Sequence, residues 1–349
     1  KYEINIVSTY KLNEEPSFEL NKNIKIEYLT NLKPNRSELK NSISHFNLKN
    51  IIKEVIKSIK ILYYKKHRMI SYIKNCDSDV IISTRDIHNN WLSKYGRDKT
   101  LKIGWEHNHH HNNKRYINKV TKSVLGLDYF VLVSKDLTKF YSEKLKDKKV
   151  KCVYIPNSIN FFPQEKAKLE TENLISIGRL SHEKGYLDLI DIFKELHQKY
   201  PDSKLNIIGD GPDRKKIEKK IRDNKLEDYI ILHGFQEKEY INKYLEKSSV
   251  YIMTSYTESF GLVLLEAFAY GIPCVAYSSA EGANEIISDN WDGYLIKDRD
   301  KNKMIKRICE LLSNRNRRLI MGANGIKKAQ EFNTQKTKQK WIEIINRKK

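Results

Sequence analysis

A chain of 349 residues is too long for one ordinary hydrophobic core and fits two domains of roughly 150 to 180 residues, with 39% hydrophobic residues to fill them. No window reaches the ~18 uninterrupted apolar residues of a membrane-crossing helix, and the N-terminus lacks the basic-then-apolar order of a signal peptide, so a cytoplasmic protein is expected. Scattered Cys76, Cys152, Cys274 and Cys309 argue against a disulfide framework or zinc module, while the net charge of +21 asks for an acidic partner: nucleic acid, anionic lipid or a phosphorylated substrate.

The chain opens with a strand pattern over 4–7, a polar stretch through Glu14, Glu15 and Pro16, and a second strand pattern over 24–29. A doubly wound domain should follow its first strand with a glycine turn and a helix. Neither is present, which reads as a missing first strand-loop-helix unit.

From Leu48 the apolar residues recur at Ile51, Ile52, Val55, Ile56, Ile59, Leu62 and Tyr63, with Lys49, Lys53, Lys57 and Lys60 on another face. This is a basic amphipathic helix. Such a helix either packs on a sheet or is drawn to an anionic membrane surface.

Strand patterns then fall over 79–83, 101–105, 129–134 and 152–155, alternating with helical stretches such as 135–146. That rhythm describes βα units and a parallel sheet. A polar linker follows, and the rhythm returns with strands over 174–177, 205–208, 229–232, 250–253, 274–277 and 293–296 before three C-terminal helices. Pro212 suits the first turn of the helix after the second of these strands. The division expected is 1–165, 166–332 and a helix over 333–349 packing back on the first domain. Residues 1–165 carry 31 basic and 17 acidic side chains, net +14, leaving 34 and 27, net +7, for the rest.

The strand ends of the second half collect Gly178, Arg179 and Lys184, then Gly209 and Gly211, then His233 and Gly234, then Glu258 through Gly261. Arg179 forks onto phosphate oxygens and Lys184 is a point cation. Glycines let backbone approach, and the N–H groups opening a helix at Gly261 suit an anion. The set describes a diphosphate site without a metal. Glu258 can accept from sugar hydroxyls, and Glu266 can hold a ribose diol.

With Glu258 and Glu266 as a Glu-x7-Glu pair, Gly178 to Gly185, Ile208 to Pro212, His233-Gly-Phe235 and Ile155-Pro-Asn157, the chain resembles a retaining family 4 glycosyltransferase of the bacterial capsule and exopolysaccharide type. The resemblance implies the α/β GT-B fold, two Rossmann-like domains facing across a cleft. It implies that Arg179 and Lys184 bind the donor diphosphate, that Glu258 contacts the transferred sugar and that Glu266 holds the ribose. Phe260, Gly261 and Leu262 would cradle phosphate and sugar, while Gly178, Gly209, Gly211 and Phe235 complete the donor pocket. His107 would stand near the donor sugar.

The implied reaction is metal-independent transfer of a hexose or N-acetylhexosamine with retention, from a nucleotide sugar, a UDP-sugar first among them. The acceptor would be a glycan or polyprenyl-phosphate-linked saccharide at the inner membrane face, in capsule, exopolysaccharide or teichoic-acid assembly. No cofactor is expected beyond the donor, and no nucleic acid partner, since no binding motif accompanies the charge. Alternatives are an epimerase of the same fold and a non-catalytic homologue that binds donor only. The cluster His107, His109, His110 and His111 is not expected to hold a metal: adjacent histidines point to different sides and no carboxylate or Cys is spaced to finish a site.

Overall fold

The computed structural model describes residues 2–16 and 20–347. They divide into two compact units, Lys1–Ile103 with Lys122–Asp128, and Gly104–Thr121 with Tyr129–Lys349. No helix among the described residues is long and apolar enough to cross a membrane.

The first unit opens with β1 (Asn5–Tyr10) and β2 (Lys25–Thr30). They pair in parallel, Asn5 opposite Lys25 and Tyr10 opposite Thr30, and their connection holds no helix among the described residues. Next come α1 (Arg36–Ser44) and α2 (Leu48–Asn75). The Asn47 side chain caps α2 by accepting from the Asn50 amide at 3.1 Å. The helix runs 28 residues, twelve beyond the Tyr63 where its sequence pattern ends, and its buried residues are Ile61, Met69 and Ile73. β3 (Val80–Ser83) and α3 (Asp86–Tyr95) complete the unit. β4 (Leu101–Glu106) and α4 (Lys114–Ser123) each run across the division.

The second unit continues with β5 (Tyr129–Leu132), α5 (Lys135–Lys144) and β6 (Lys151–Tyr154), the two strands pairing in parallel. Then follow β7 (Asn173–Ile177), α6 (Tyr186–Lys199), β8 (Lys204–Ile208), α7 (Arg214–Asp223), β9 (Ile230–Leu232) and α8 (Lys238–Glu246). After them come β10 (Val250–Met253), α9 (Leu262–Ala269), β11 (Cys274–Tyr277), α10 (Glu281–Ile286) and β12 (Gly293–Ile296). Three helices close the chain, α11 (Lys301–Ser313), α12 (Arg315–Glu331) and α13 (Thr334–Asn346); the last two residues of the helix expected over 333–349 lie outside the described ones.

The six strands from β7 onward form one sheet in the order β12-β11-β10-β7-β8-β9, parallel throughout. β10 and β11 are buried along their whole length, so they read as continuous apolar runs, as a sheet covered on both faces requires. Leu174, Phe193, Leu205, Ile252, Val275 and Ile308 meet in its core. The chain leaves β7 toward β8 on one side and returns to β10 on the other. The strand order therefore reverses between β7 and β10, and ligands of open α/β sheets bind beyond the carboxyl ends of strands at such a reversal.

One expectation shifts in detail. Pro212 lies ahead of α7, whose N-cap is Asp213; the Asp213 amide instead donates to the Leu180 carbonyl at 2.9 Å, holding that turn against the loop after β7.

Candidate functional site at the carboxyl ends of β7 and β10

The loops after β7, β8 and β9 lie on one another through their glycines. The Gly178 amide donates to Ile208 at 2.9 Å, and the Gly209 amide to Gly234 at 2.8 Å. A Cβ on Gly209 would fall 1.9 Å from the Gly178 carbonyl oxygen, and one on Gly211 2.3 Å from that of Leu180. These glycines are thus required by backbone packing within the site wall. Phe235, at the turn after β9, is 75% exposed, a free aromatic face.

Arg179 stands exposed at the rim. Burial pushes the neighbouring Glu183 carboxyl up, but the Ser181 hydroxyl, its own amide and the Lys184 and Arg179 charges hold it below the ordinary range. Lys184 ends a short 3-10 turn. Its Nζ forms an ion pair with the Glu258 carboxylate, both groups largely withdrawn from solvent.

Several bonds zip the Lys184 loop to the Glu258 loop. Thr254 Oγ1 donates to the carbonyls of Lys184 and Gly185 at 3.2 and 3.0 Å. The Tyr256 amide donates to Glu183 at 2.8 Å. Gly185 has φ +67°, and a Cβ there would meet the Thr254 oxygen at 2.1 Å, so no other residue fits.

Arg299 clamps this junction. Its Nη1 donates to the Ser255 carbonyl and Ser279 Oγ at 3.0 and 2.9 Å. Its Nη2 donates to Asp188 and the Thr254 carbonyl at 2.6 and 2.9 Å. The guanidinium lies between the rings of Tyr256 and Tyr277, 3.8 and 4.3 Å from their centroids. Asp298 and Arg299 hold left-handed backbone, φ 55° and 50°, local strain that the clamp's bonds offset.

Past Glu258 the chain enters α9 at Gly261, φ 89°, with no side chain capping the first turn. The opening amides and the positive end of the helix dipole are left for an anion. The Phe260 ring is buried against Phe332, 5.7 Å between centroids; only its backbone is offered to the site. Leu262 and Glu266 share a face of α9 and line a pocket of about 130 Å³ with Asn160, Phe161, Lys238 and Tyr270. Burial pushes the Glu266 carboxyl above its ordinary value, and the Lys238 charge opposes.

The histidine run after β4 reaches the Glu258 loop by residues other than His107. The His107 ring lies tilted against Trp105, 4.3 Å between centroids, and Trp105 meets Trp341 of α13 edge-on at 4.9 Å. His111 Nδ1 lies 2.7 Å from Thr257 Oγ1, and His109 Nε2 lies 3.2 Å from Glu281 Oε1. Glu281 in turn accepts from the Glu258 amide at 3.5 Å. An ion pair would raise the histidine and lower the acid. Burial instead pushes His109 down to about 4 and Glu281 up, so their contact is a hydrogen bond of a neutral imidazole. Among the described residues no three His, Cys, Asp or Glu side chains converge as metal ligands.

The fold thus gathers Lys184, Glu258 and the start of α9 at the strand reversal, sets Glu266 in the adjoining pocket, and keeps Arg179 and Phe235 at the exposed edge. Sequence reading missed Arg299, Asp188, His109, His111 and Glu281. No local pattern marks Arg299, because its partners Ser279, Ser255, Thr254 and Asp188 lie 20 to 111 residues upstream.

Residues 157–328 match the family described as Glycosyl transferases group 1. An uncharacterized glycosyltransferase of Haemophilus influenzae is 27% identical over 247 residues, 70% of this chain and 69% of that protein. The amylovoran biosynthesis glycosyltransferase AmsD of Erwinia amylovora is 27% identical over 296 residues, 81% of this chain and 82% of its own. Among solved structures, a mutant of S. aureus TarM in complex with fondaparinux, α-GlcNAc-glycerol and UDP superposes with a TM-score of 0.72 at 21% identity, over 81% of this chain and 59% of TarM. These matches define the class: the chain is a glycosyltransferase with the GT-B fold, its residues 157–328 matching the group 1 family.

Proposed function

We propose that the chain transfers a hexose or N-acetylhexosamine from a nucleotide sugar, a UDP-sugar first among candidates, to a glycan or polyprenyl-phosphate-linked acceptor in surface-polysaccharide assembly. On this reading the acceptor side is assigned to residues 1–165 and the donor side to residues 166–332. The observation that carries the reading is the Lys184–Glu258 pair at the β7/β10 reversal, beside the uncapped start of α9.

In the reaction the bond between the anomeric carbon and the diphosphate oxygen breaks, and its electrons stay with the diphosphate. Lys184, Arg179 and the α9 amides neutralise that departing charge, and such donors are usually the largest catalytic contribution. The acceptor hydroxyl bonds the anomeric carbon on the same face and gives its proton to the leaving phosphate oxygen. Glu258 is committed to Lys184, so it acts as a positioning and electrostatic group on the sugar rather than as a free nucleophile. Glu266 holds the ribose diol. His109 and His111 join His107 as candidates for the sugar's other side. Retention is supported by a TarM mutant being bound with UDP and α-GlcNAc-glycerol. Independence from metal ions is supported by the cations already present.

The test is release of UDP or GDP from a panel of sugar nucleotides, with a lipid-linked acceptor and with EDTA. Acceptor-dependent UDP release, unchanged by EDTA and giving an α-linked product, is expected. Release abolished by EDTA would overturn metal independence, and absence of any nucleotide binding would overturn the reading itself. Free turnover without acceptor would favour the epimerase.

A further inference from the structure

Helix α2 buries Ile61, Met69 and Ile73 but keeps a second set of apolar residues on its outer face, more than a helix that serves only to cover a sheet requires. In its first half, Leu48, Ile52, Ile56, Ile59 and Tyr63 form one stripe and are 57 to 75% exposed. Their spacing of three or four residues sets them on one face, about 24 Å long at 1.5 Å per residue.

The inward face of the same half holds Ile61, 4% exposed, and beside it a polar cluster. Asn35, 4% exposed, donates to the Glu54 carboxylate at 2.7 Å and to the Glu54 carbonyl at 2.8 Å, and accepts from Ser58 Oγ at 2.9 Å. Apolar residues thus face water while carboxylate, amide and hydroxyl are turned in. Scattered exposed apolar residues need no explanation, but a contiguous stripe does. At the turn before the helix, Phe46 has φ 49° and is 89% exposed. A non-glycine residue held in left-handed backbone with its ring in solvent continues the stripe past the helix end.

We propose that this face of α2, with Phe46 at its tip, lies flat in the interface of an anionic lipid bilayer. Charge selects that occupant. Exposed Lys49, Lys53, Lys57 and Lys60 run beside the stripe, and the one acidic residue of this half, Glu54, is turned inward, its carboxylate 3.9 Å from Lys57 Nζ and so offsetting one lysine of the row. A bilayer with acidic headgroups supplies apolar depth for the stripe and negative charge for the lysines together. A second copy of the chain would set one lysine row against another, which like-charge repulsion disfavours. The proposal rests on the reading that the acceptor is membrane-borne, but it concerns the first unit alone and is measured without donor or acceptor.

The experiment is flotation with vesicles of phosphatidylcholine, with and without phosphatidylglycerol. The protein should float with the anionic vesicles at low salt, and much less with neutral ones or at ~1 M salt, where the screening length falls to about 3 Å. Ile56→Asp with Ile59→Asp should lower binding more than about tenfold, since two buried side chains are lost. Lys49→Glu, Lys53→Glu and Lys57→Glu should lower it roughly fivefold per lysine. Thermal shift by UDP, kept in every variant, reports that the fold and the donor site are intact. Failure of the parent to float, or equal flotation of parent and variants, would overturn the proposal. So would a dimer that the isoleucine variants disperse without any change in vesicle binding. If UDP shifts nothing while flotation behaves as expected, the transfer reading fails and the membrane face stands.

Discussion

Helices α9 and α2 are both rich in aliphatic residues and dispose of them in opposite directions. In α9, Leu264, Leu265, Ala267, Phe268 and Ala269 are buried, and the polar residue left over, Glu266, is delivered to the pocket it shares with Lys238 and Tyr270. In α2 the aliphatic stripe stays outside while Glu54 is turned in. One helix uses burial to fix the position of its carboxylate; the other keeps apolar surface for a partner. The same composition thus serves preorganisation in one region and association in the other.

The sharpest break in that comparison is at the carboxylates. Glu258→Ala should reduce transfer by about a thousandfold, the upper range for removing one electrostatic group from a preorganised site, while Arg179→Ala should chiefly weaken donor binding. Steady-state UDP release separates the two, and parent rates in both variants would refute the assignment. Next in size is packing. Leu264→Ala should destabilise the protein by about 2–5 kcal/mol through cavity formation, whereas Ile56→Ala in α2 should stay within about 0.5 kcal/mol; urea denaturation of each checks the contrast.

Arg299→Lys comes third. Lysine cannot reproduce four bonds from one planar fork, so kcat should fall roughly tenfold, the equivalent of a lost charge-assisted bond of about 1.5 kcal/mol, while KM for donor changes less. A pure stability loss with unchanged kcat would remove Arg299 from the positioning of Glu258.

The smallest effect is in pH. Burial holds His109 at about 4, below the ordinary 6.5, so between these values the unfolded chain binds the proton first and stability falls as pH drops. Asp292, pushed up to about 6 by burial, works in the opposite sense below pH 6. His109→Gln removes the first contribution alone. Its melting temperature should decline less than the parent's between pH 6.5 and 4.

The βα rhythm of the second unit was legible because each strand there is a short apolar run between glycine turns, and the observed strands begin and end within a few residues of those runs. The first unit was harder to read. Helices α1 and α3 carry mixed polar sequence, and their boundaries depend on packing. In the site, Lys184 and Glu258 were found by motif, but the histidine run pointed to His107, and the structure sets His109 and His111 beside the Glu258 loop. Adjacent positions in a non-helical loop present their side chains to different sides, and only the path of that loop selects among them.

The sequence by itself determined the parallel α/β order, the glycines that must stand at strand ends and the basic, amphipathic character of residues 48–63. Those depend on local period and on backbone conformations that few residues tolerate. Tertiary structure decided which side chains meet at the β7/β10 reversal, the Arg299 clamp that joins loops distant in the chain, and which face of α2 is left open. Each is a matter of what lies opposite a residue in space, and linear spacing holds no information about an opposing surface.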